Sequence, residues 1–264
     1  MDLYEYQGKQ LFAGHGIPVP SGQVAETPGE ARGAAESIGG RVVVKAQVQV
    51  GGRGKAGGIK VADTPAEAEA RAREILGMDI KGHTVHRVWI EAASEIAKEY
   101  YASVTFDRGA KKPLVMLSAA GGVDIEEVAA SRPDELARLH IDPLTGFQQH
   151  HGRWLIYHSG IDVEAQKGVL DILTRLYTAF VELDAMLLEI NPPILTPDGR
   201  VPAPAATVTT DHNALYRHPH RPPRPDTAPS DPPARPPHAA AVTHRRPSRA
   251  PRLPGPPPPP PTST

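Results

Sequence analysis

Gly51-Gly52-Arg53-Gly54-Lys55-Ala56-Gly57-Gly58 is a basic loop in which five of the eight residues are glycine. The apolar run 41–48 precedes it and the shorter run 58–62 follows it, so the pattern predicts a loop that joins two strands. Glycine lets the backbone reach positive φ and approach a ligand closely, and cations beside exposed N–H groups suit a polyphosphate. We therefore interpret this segment as a glycine flap over nucleotide phosphates.

Other phosphate loops fit this segment less well. The spacing Gly52-x-Gly54-x-x-Gly57 has the form of the dinucleotide fingerprint, but that motif opens a helix, whereas β-branched residues follow here. A Walker A loop requires Gly-Lys-Ser/Thr, which the segment lacks. A flexible hairpin tip at the surface is the remaining alternative.

Composition and charge exclude several classes of protein. The 264 residues carry a net charge of −1, yet residues 1–217 hold 22 basic and 28 acidic groups, which leaves −6. An acidic body argues against general nucleic-acid binding. The absence of cysteine excludes disulfides and zinc–thiolate sites. The sequence has no secretion signal and no run of the roughly 20 apolar residues that a membrane span needs, so we expect a cytoplasmic protein without membrane contact.

Hairpins and helices follow one another without regular βαβ alternation, which predicts an α+β fold. We expect helices at 2–13, 27–38, from 64 onward and at 163–183, and strands at 41–48, 58–62, 85–92, 101–106, 113–118 and 185–190. From residue 218 on, eighteen of the last 47 residues are proline. Such a composition predicts a disordered tail with polyproline II character.

A second site is indicated where a buried strand ends in Glu189-Ile190-Asn191-Pro192. Alternation along a strand places the carboxylate of Glu189 and the amide of Asn191 on one face. Hard oxygen donors of this kind are what Mg²⁺ prefers. A solvated strand end is the alternative interpretation.

Three charged side chains outside the glycine loop are further candidates for a nucleotide site. Lys45 lies in the strand before the loop and either faces solvent or points at phosphates. Glu91 ends the strand that precedes Ser94, where a carboxylate can accept hydrogen bonds from an adenine amino group or from ribose hydroxyls. Glu99 is either a nucleotide contact of the same kind or a solvated side chain.

Several segments, read together, resemble the ATP-grasp part of the β subunit of succinyl-CoA synthetase, the ADP-forming succinate–CoA ligase. Malate–CoA ligase β subunits and the start of ATP-citrate lyase are near relatives of that family. The resemblance covers about residues 1–219 and rests on Leu3-Tyr4-Glu5-Tyr6-Gln7-Gly8-Lys9-Gln10-Leu11-Phe12, 16–20, 44–48, 51–58, 91–93, 98–99, 121–126, Asp142-Pro143-Leu144-Thr145-Gly146, Glu189-Ile190-Asn191-Pro192 and 213–219.

The resemblance implies two ATP-grasp lobes in residues 1–217 that clamp a nucleotide, with the smaller glycine-loop lobe at about 21–100. It implies Asn191 as a Mg²⁺ ligand and Glu189 as the catalytic residue that faces a phosphohistidine on an α subunit. The implied nucleotide contacts are Lys45, Gly52, Arg53, Gly54, Glu91, Ser94 and Glu99.

The implied reaction is that of a ligase of the tricarboxylic acid cycle. Succinyl-CoA, phosphate and ADP (or GDP) give succinate, CoA and ATP (or GTP), with Mg²⁺ bound to the nucleotide. The partner would be the α subunit in a heterodimer or heterotetramer, through which succinate and CoA are reached. The sequence does not separate ATP from GTP, or succinate from malate.

The sequence departs from the family pattern in three places. Ala205 stands where the family has the aspartate that is the second metal ligand, and Thr207 replaces a lysine. Ala120 stands where relatives usually have glutamate. The proline-rich tail at 218–264 occupies the place of the family's C-terminal CoA-ligase domain. A degenerate or frameshifted remnant that binds nucleotide without turnover is therefore a second hypothesis, and an interaction protein that uses its proline-rich tail is a third.

Overall fold

The computed structural model describes residues 1–218, all of which fall within one compact unit. The predicted disordered tail lies outside the described residues, apart from His218. Within the described range, no helix combines the length and the apolar character needed to cross a bilayer.

The structure mixes helices with antiparallel strands, as in an α+β fold. The elements of the first part of the chain are α1 Glu5–Gly14, β1 Gly22–Ala25, α2 Pro28–Ile38, β2 Val42–Ala46, β3 Ile59–Ala62, α3 Pro65–Ile75, β4 Asp79–Ile80, β5 His83–Thr84 and β6 Val88–Ala92. The elements of the second part are β7 Lys98–Glu99, β8 Tyr101–Asp107, β9 Lys112–Ser118, α4 Ile125–Ser131, β10 Leu136–His140, α5 Gln149–Ser159, α6 Val163–Glu182, β11 Ala185–Ile190, β12 Ile194–Leu195 and β13 Thr207–Thr210, with 3₁₀ helices at Pro133–Glu135 and His212–Arg217.

The smaller sheet carries the glycine loop. Its strand order is β1-β6-β2-β3, all antiparallel, and helices α2 and α3 pack against it. The buried side chains of Val42, Val44 and Ile90 form a core with Ile75 of α3. The predicted strand–loop–strand unit is therefore β2, the glycine loop and β3.

The larger sheet has the order β10-β9-β8-β11-β13, again antiparallel, and α5 and α6 contribute to its core. Leu173 and Leu176 of α6 pack into the same cluster as Val104 and Leu188 of the sheet. Their helical spacing predicts the buried face of α6 from sequence alone. Each sheet thus has a core of its own, in agreement with the predicted two lobes.

Helix α1 contacts both lobes. Phe12 in its last turn and Ile17, three residues after its end, are buried in the core of the larger lobe. Tyr6 at its N-terminal end stacks on Trp89 of β6, with 6.2 Å between the ring centroids. The helix begins at Glu5, three residues later than the predicted start at residue 2.

The structure also differs from the predicted elements in ways that tertiary contacts explain. The predicted strand 85–92 is shorter, because Val85 hydrogen-bonds through its backbone to Gly77 and Met78 beside the β4–β5 hairpin. The segment after the turn at Asp198 forms no strand until Thr207, since the prolines at 202 and 204 lack a donor N–H. The sequence patterns did not predict α4, α5, the strands β1, β10 and β13, or the two-residue strands β4, β5, β7 and β12.

Candidate functional site

The glycine loop folds back onto strand β2. The N–H of Gly58 donates to the carbonyl of Arg53 at 2.9 Å, and the N–H of Ala46 donates to the carbonyl of Gly58 at 2.7 Å. Gly52 has φ of 81°, in the left-handed region that favours glycine. These contacts give the loop a defined closed shape and argue against a flexible hairpin tip.

Beside the loop lies a buried cluster of five charged side chains, Glu5, Lys9, Lys45, Arg53 and Glu91, which we call the charge network. Lys45 Nζ lies 2.5 Å from Glu91 Oε1 and 3.3 Å from Glu5 Oε1. Lys9 Nζ lies 2.9 Å from Glu5 Oε1 and also pairs with Glu91, while Arg53 pairs with Glu5 Oε2. Three basic side chains thus share two carboxylates, so the network has one positive charge in excess when all five groups are ionised. Burial lowers the pKa of Lys9, against the charges of Glu5 and Glu91.

The charge network is shielded from solvent. The side chains of Glu5 and Glu91 are 1% and 2% exposed, and that of Lys45 is 9% exposed. Burial acts to raise the pKa of Glu5, but the charges of Arg53, Lys45 and Lys9 hold it well below its ordinary value. Burial acts to lower the pKa of Lys45, yet the two carboxylates raise it. Both groups are therefore charged at neutral pH.

Local structure explains how these groups meet. Lys45 of β2 lies opposite Trp89 of β6 in the strand register, and Glu91 follows two residues later on the same face. The Trp89 indole N–H donates to Glu91 Oε2 at 2.8 Å. From α1, Glu5 and Lys9 reach the same place because residues four apart share one face of a helix. Lys45 thus does not face solvent, and in this structure its ammonium is paired with Glu5, Glu91 and the carbonyl of Pro204.

The second cluster lies at the end of β11. Tyr101 donates its hydroxyl to Glu189 Oε2 at 3.1 Å, and Thr207 donates to Glu189 Oε1 at 3.4 Å. Both partners come from strands that pair with β11, since β8 and β13 flank it in the larger sheet. The carboxylate of Glu189 is therefore fixed by its two neighbouring strands.

The environment of Glu189 makes it a stronger base than an ordinary glutamate. Burial raises its pKa, and the nearby carboxylates of Glu126 and Asp124 raise it further, against the hydrogen bond from Tyr101. Glu189 also lines a cavity of about 390 Å³ on the sheet, whose floor includes Met116 and whose wall is formed by α4.

Asn191 is held by the tight turn at residues 121–123. Its Oδ1 accepts the N–H of Gly122 at 3.0 Å, and its Nδ2 donates to the carbonyl of Val123 at 3.0 Å. Gly122 has φ of 68°, and a side chain there would collide with the carboxylate of Glu99. Glu99 and Asn191 therefore meet at this glycine.

The tip of the glycine loop lies near the same turn. A hydrogen bond from Glu126 lowers the pKa of Asp124, and the positive charge of Lys55 lowers it further. Lys55 belongs to the glycine loop and Asp124 directly follows the turn that holds Asn191. The charge of the glycine loop thus acts on the residue that directly follows this turn.

The oxygen donors at the strand end fit a magnesium ion that arrives with a phosphate. Asn191 Oδ1 accepts one hydrogen bond and so retains a lone pair, and Glu189 provides a carboxylate on the same face. Among the residues that the structure describes, no three His, Cys, Asp or Glu side chains converge as a cage. Mg²⁺ commonly takes one or two protein ligands and completes its shell with phosphate and water.

The remaining predicted contacts lie on connecting segments. Gly54 is in the glycine loop, where a side chain would make only ordinary contact with Ile59, so space does not demand glycine. Ser94 is half-buried in the linker after β6. Sequence reasoning missed Glu5, Lys9 and Tyr101 as members of the two clusters.

The chain belongs to the ATP-grasp family, because the ATP-grasp domain matches residues 2–195. It is 53% identical over 218 residues to the ADP-forming succinate–CoA ligase subunit β of Rubrobacter xylanophilus. It is 51% identical over 219 residues to the GDP-forming succinate–CoA ligase subunit β of Thermus thermophilus. These matches confirm the resemblance predicted from the sequence motifs. They cover 83% of this chain but 57% and 58% of those proteins, so the chain spans little more than half their length.

Solved structures share the fold at low identity. The dinucleotide-forming acetyl-coenzyme A synthetase 1 of Ca. Korarchaeum cryptofilum, in complex with coenzyme A and Ca-AMPCP, superposes with a TM-score of 0.65 at 20% identity, over 80% of this chain and 93% of that chain. ATP citrate lyase from Methanothrix soehngenii, in complex with citrate and coenzyme A, gives 0.66 at 20% identity, over 87% of this chain and 57% of that one. Both support the α+β ATP-grasp architecture.

Proposed function

We propose that this chain binds a magnesium–nucleotide complex between the glycine loop and the end of β11. We further propose that it serves as the nucleotide-binding part of a succinate–CoA ligase β subunit. The observation that carries the proposal is a pair of features on the two lobes: the closed basic loop with Arg53 and Lys55, and the end of β11, where Gly122 and Val123 hold Asn191. A polyphosphate between them meets cations on one side and metal-binding oxygens on the other. In this proposal residues 1–217 are the ATP-grasp domain and about 21–100 its smaller lobe.

Each predicted contact has a role in this proposal. The cations of Lys45 and Arg53 and the N–H groups of Gly52 and Gly54 hold the phosphates. The carboxylate of Glu99 and the hydroxyl of Ser94 hydrogen-bond to the base and the ribose, whereas Glu91, which is buried and paired with Lys9 and Lys45, contributes by holding those two cations. A bound Mg²⁺ supplies electrostatic stabilisation of the charge on the transferring phosphoryl group.

Glu189 is the proposed catalytic residue. In the reaction succinyl-CoA + ADP + phosphate = succinate + CoA + ATP, phosphate passes between the nucleotide and a phosphohistidine on an α subunit. Glu189 faces that imidazole and, with its raised pKa, accepts a hydrogen bond or a proton from it more readily than an ordinary glutamate. Tyr101 and Thr207 keep its carboxylate in place.

The partner and substrates belong to the same proposal. The chain would work with an α subunit and reach succinate and CoA through that complex, in the cytoplasm. Relatives of both the ADP-forming and the GDP-forming kind are similar to it. Titrations with ATP and with GTP therefore determine which nucleotide the site prefers. Assays of the complex with succinate and with malate decide the acid.

The first test is a calorimetric titration of the full-length chain with ATP, with and without Mg²⁺. We expect saturable binding that is tighter with Mg²⁺, because the ion reduces repulsion between the phosphates and the carboxylates at the strand end. A heat signal no larger than dilution in both titrations would contradict the proposal.

A chain of the same fold that binds nucleotide without turnover is the second candidate, because of Ala205. In the β11–β13 pairing Glu189 lies opposite Thr207, and continuing that register places Ala205 opposite Asn191. Ala205 is half-buried and has no oxygen to offer a metal ion. This candidate would be favoured if the chain binds Mg-ATP but its complex with an α subunit makes no product.

Replacing Ala205 by aspartate is expected to strengthen Mg²⁺-dependent ATP binding. A second carboxylate opposite Asn191 adds a charged ligand, and ligand charge tunes ion affinity, so we expect a gain of roughly tenfold. Calorimetry with and without Mg²⁺ measures it, with Ala205→Asn as the neutral control of the same shape. Equal affinities for Ala205→Asp and the wild type would contradict the placement of the metal.

A further inference from the structure

Three cations of the charge network converge on one carboxylate, that of Glu5. Lys9 Nζ lies 2.9 Å and Lys45 Nζ 3.3 Å from its Oε1, and Arg53 pairs with its Oε2. A phosphate group bound at the same place would pair with the same three cations as this carboxylate. The network is therefore an anion site that is filled from within the chain.

The internal anion is permanent over the neutral pH range. The Glu5 side chain is 1% exposed, and the three cations keep its pKa well below the ordinary value despite burial. Protonation cannot remove it at neutral pH. Another anion can pair with Arg53 only if it replaces the carboxylate of Glu5 or shares the guanidinium group with that carboxylate.

Glu5 also comes from a different part of the fold than two of its partners, Lys45 and Arg53. Helix α1, which carries Glu5, is anchored by Phe12 in the core of the larger lobe, whereas Lys45 and Arg53 belong to the sheet and loop of the smaller lobe. Arg53 is further tied to β2 by a hydrogen bond from Nη1 to the carbonyl of Ala46 at 3.2 Å. The ion pairs of Glu5 thus join the glycine loop to α1.

We propose that Glu5 is an internal competitor for the phosphate site, and that a nucleotide phosphate replaces its carboxylate at Arg53. This inference rests on the proposed function, because it assigns regulation to the same phosphate-binding cations. The Glu5–Arg53 pair must then break before a phosphate can pair with Arg53. The free energy needed to break it weakens nucleotide binding. Release of that pair frees the glycine loop from α1.

The test compares ATP and inorganic tripolyphosphate binding, with Mg²⁺ present, in full-length variants. Glu5→Gln keeps the shape of the side chain but frees Arg53. We expect ATP affinity to rise by roughly tenfold or more, which corresponds to one charge-assisted hydrogen bond. Tripolyphosphate affinity should rise in parallel, because the competition concerns phosphate and not the base.

Two further variants separate competition from net charge and from unfolding. Glu5→Gln raises the excess of the network from one positive charge to two, whereas the double variant Glu5→Gln/Lys9→Gln restores it to one while Arg53 stays free. We expect both to bind ATP more tightly than the wild type. Glu36→Gln, which removes an exposed carboxylate paired with Arg32 at 3.0 Å, should leave ATP affinity unchanged.

The fluorescence emission of Trp89 can report the replacement of Glu5 by a phosphate. Its indole N–H donates to Glu91, and Lys9 lies 6.0 Å from its ring centroid, so a rearranged network alters its surroundings. In a Trp154→Phe background Trp89 is the remaining tryptophan of the sequence. We expect ATP to change its emission in the wild-type network and less in Glu5→Gln.

The outcomes distinguish this inference from the proposed function. ATP binding by the wild type with equal or weaker binding by Glu5→Gln and by the double variant overturns the inference and leaves the proposed function standing. Trp89 emission that is insensitive to saturating ATP also overturns it. ATP binding by neither the wild type nor any variant overturns the proposed function itself.

Discussion

Replacing Glu91 by glutamine is expected to destabilise the protein by about 3–5 kcal/mol, the cost of leaving buried charge without its partner. Lys45 and Lys9 both pair with Glu91, and its loss raises the excess of the buried network from one positive charge to two. Glutamine keeps the volume and can still accept the Trp89 indole N–H, so the effect reports charge. Urea unfolding measures the free energy of unfolding.

The double variant Glu91→Gln/Lys9→Gln tests the cause of that loss. It returns the network to an excess of one positive charge, so we expect it to recover part of the stability. Exposed ion pairs contribute little, and Glu36→Gln should therefore change the free energy of unfolding by less than about 1 kcal/mol. A Glu91→Gln variant as stable as Glu36→Gln would show that the network is not a buried charge cluster in solution.

Replacing Lys45 by methionine is expected to weaken Mg-ATP binding by roughly ten- to hundredfold, the loss of one charge-assisted hydrogen bond to phosphate. The remaining network of Lys9, Arg53, Glu5 and Glu91 is then neutral. We therefore expect a smaller loss of stability than in Glu91→Gln, so the binding defect can be measured on folded protein. Calorimetry gives the dissociation constant.

Lys60→Met is the matched control for that experiment. Lys60 lies on β3, next to β2 in the same sheet, and its ammonium pairs with Glu74 of α3 instead of the network. It should bind Mg-ATP like the wild type. Equal weakening in both variants would indicate a general effect of charge on the smaller lobe, and would remove Lys45 from the phosphate site.

Local patterns in the sequence predicted most of the regular structure. The strands around the glycine loop, the hairpin of β8 and β9 and the long helix α6 all follow from alternation, turn residues and helical spacing. The helix predicted from residue 64 onward is α3, which Thr64 caps because its hydroxyl accepts the N–H of Glu67 at 3.2 Å. These features depend on residues close together in the chain.

The candidate sites were predictable in part. The Glu189-Ile190-Asn191-Pro192 motif places two oxygen donors on one strand end, and the loop glycines indicate a phosphate contact without any tertiary information. The partners of Glu189 were not predictable, because Tyr101 reaches it only through the pairing of β8 with β11. A tyrosine in an apolar strand carries no signal of that contact.

The sequence by itself determined the α+β class, the family and the segments that we propose to carry the chemistry, because each depends on short runs of residues. Only the tertiary structure decided what surrounds those segments. Glu5 meets Lys45 across 40 positions of sequence and Lys9 meets Glu91 across 82. In sequence, Glu5 and Lys9 resemble an ordinary surface pair at i and i+4. The packing of α1 between two lobes buries that pair against Arg53. The carboxylate of Glu5 therefore lies beside the glycine loop and pairs with one of its cations.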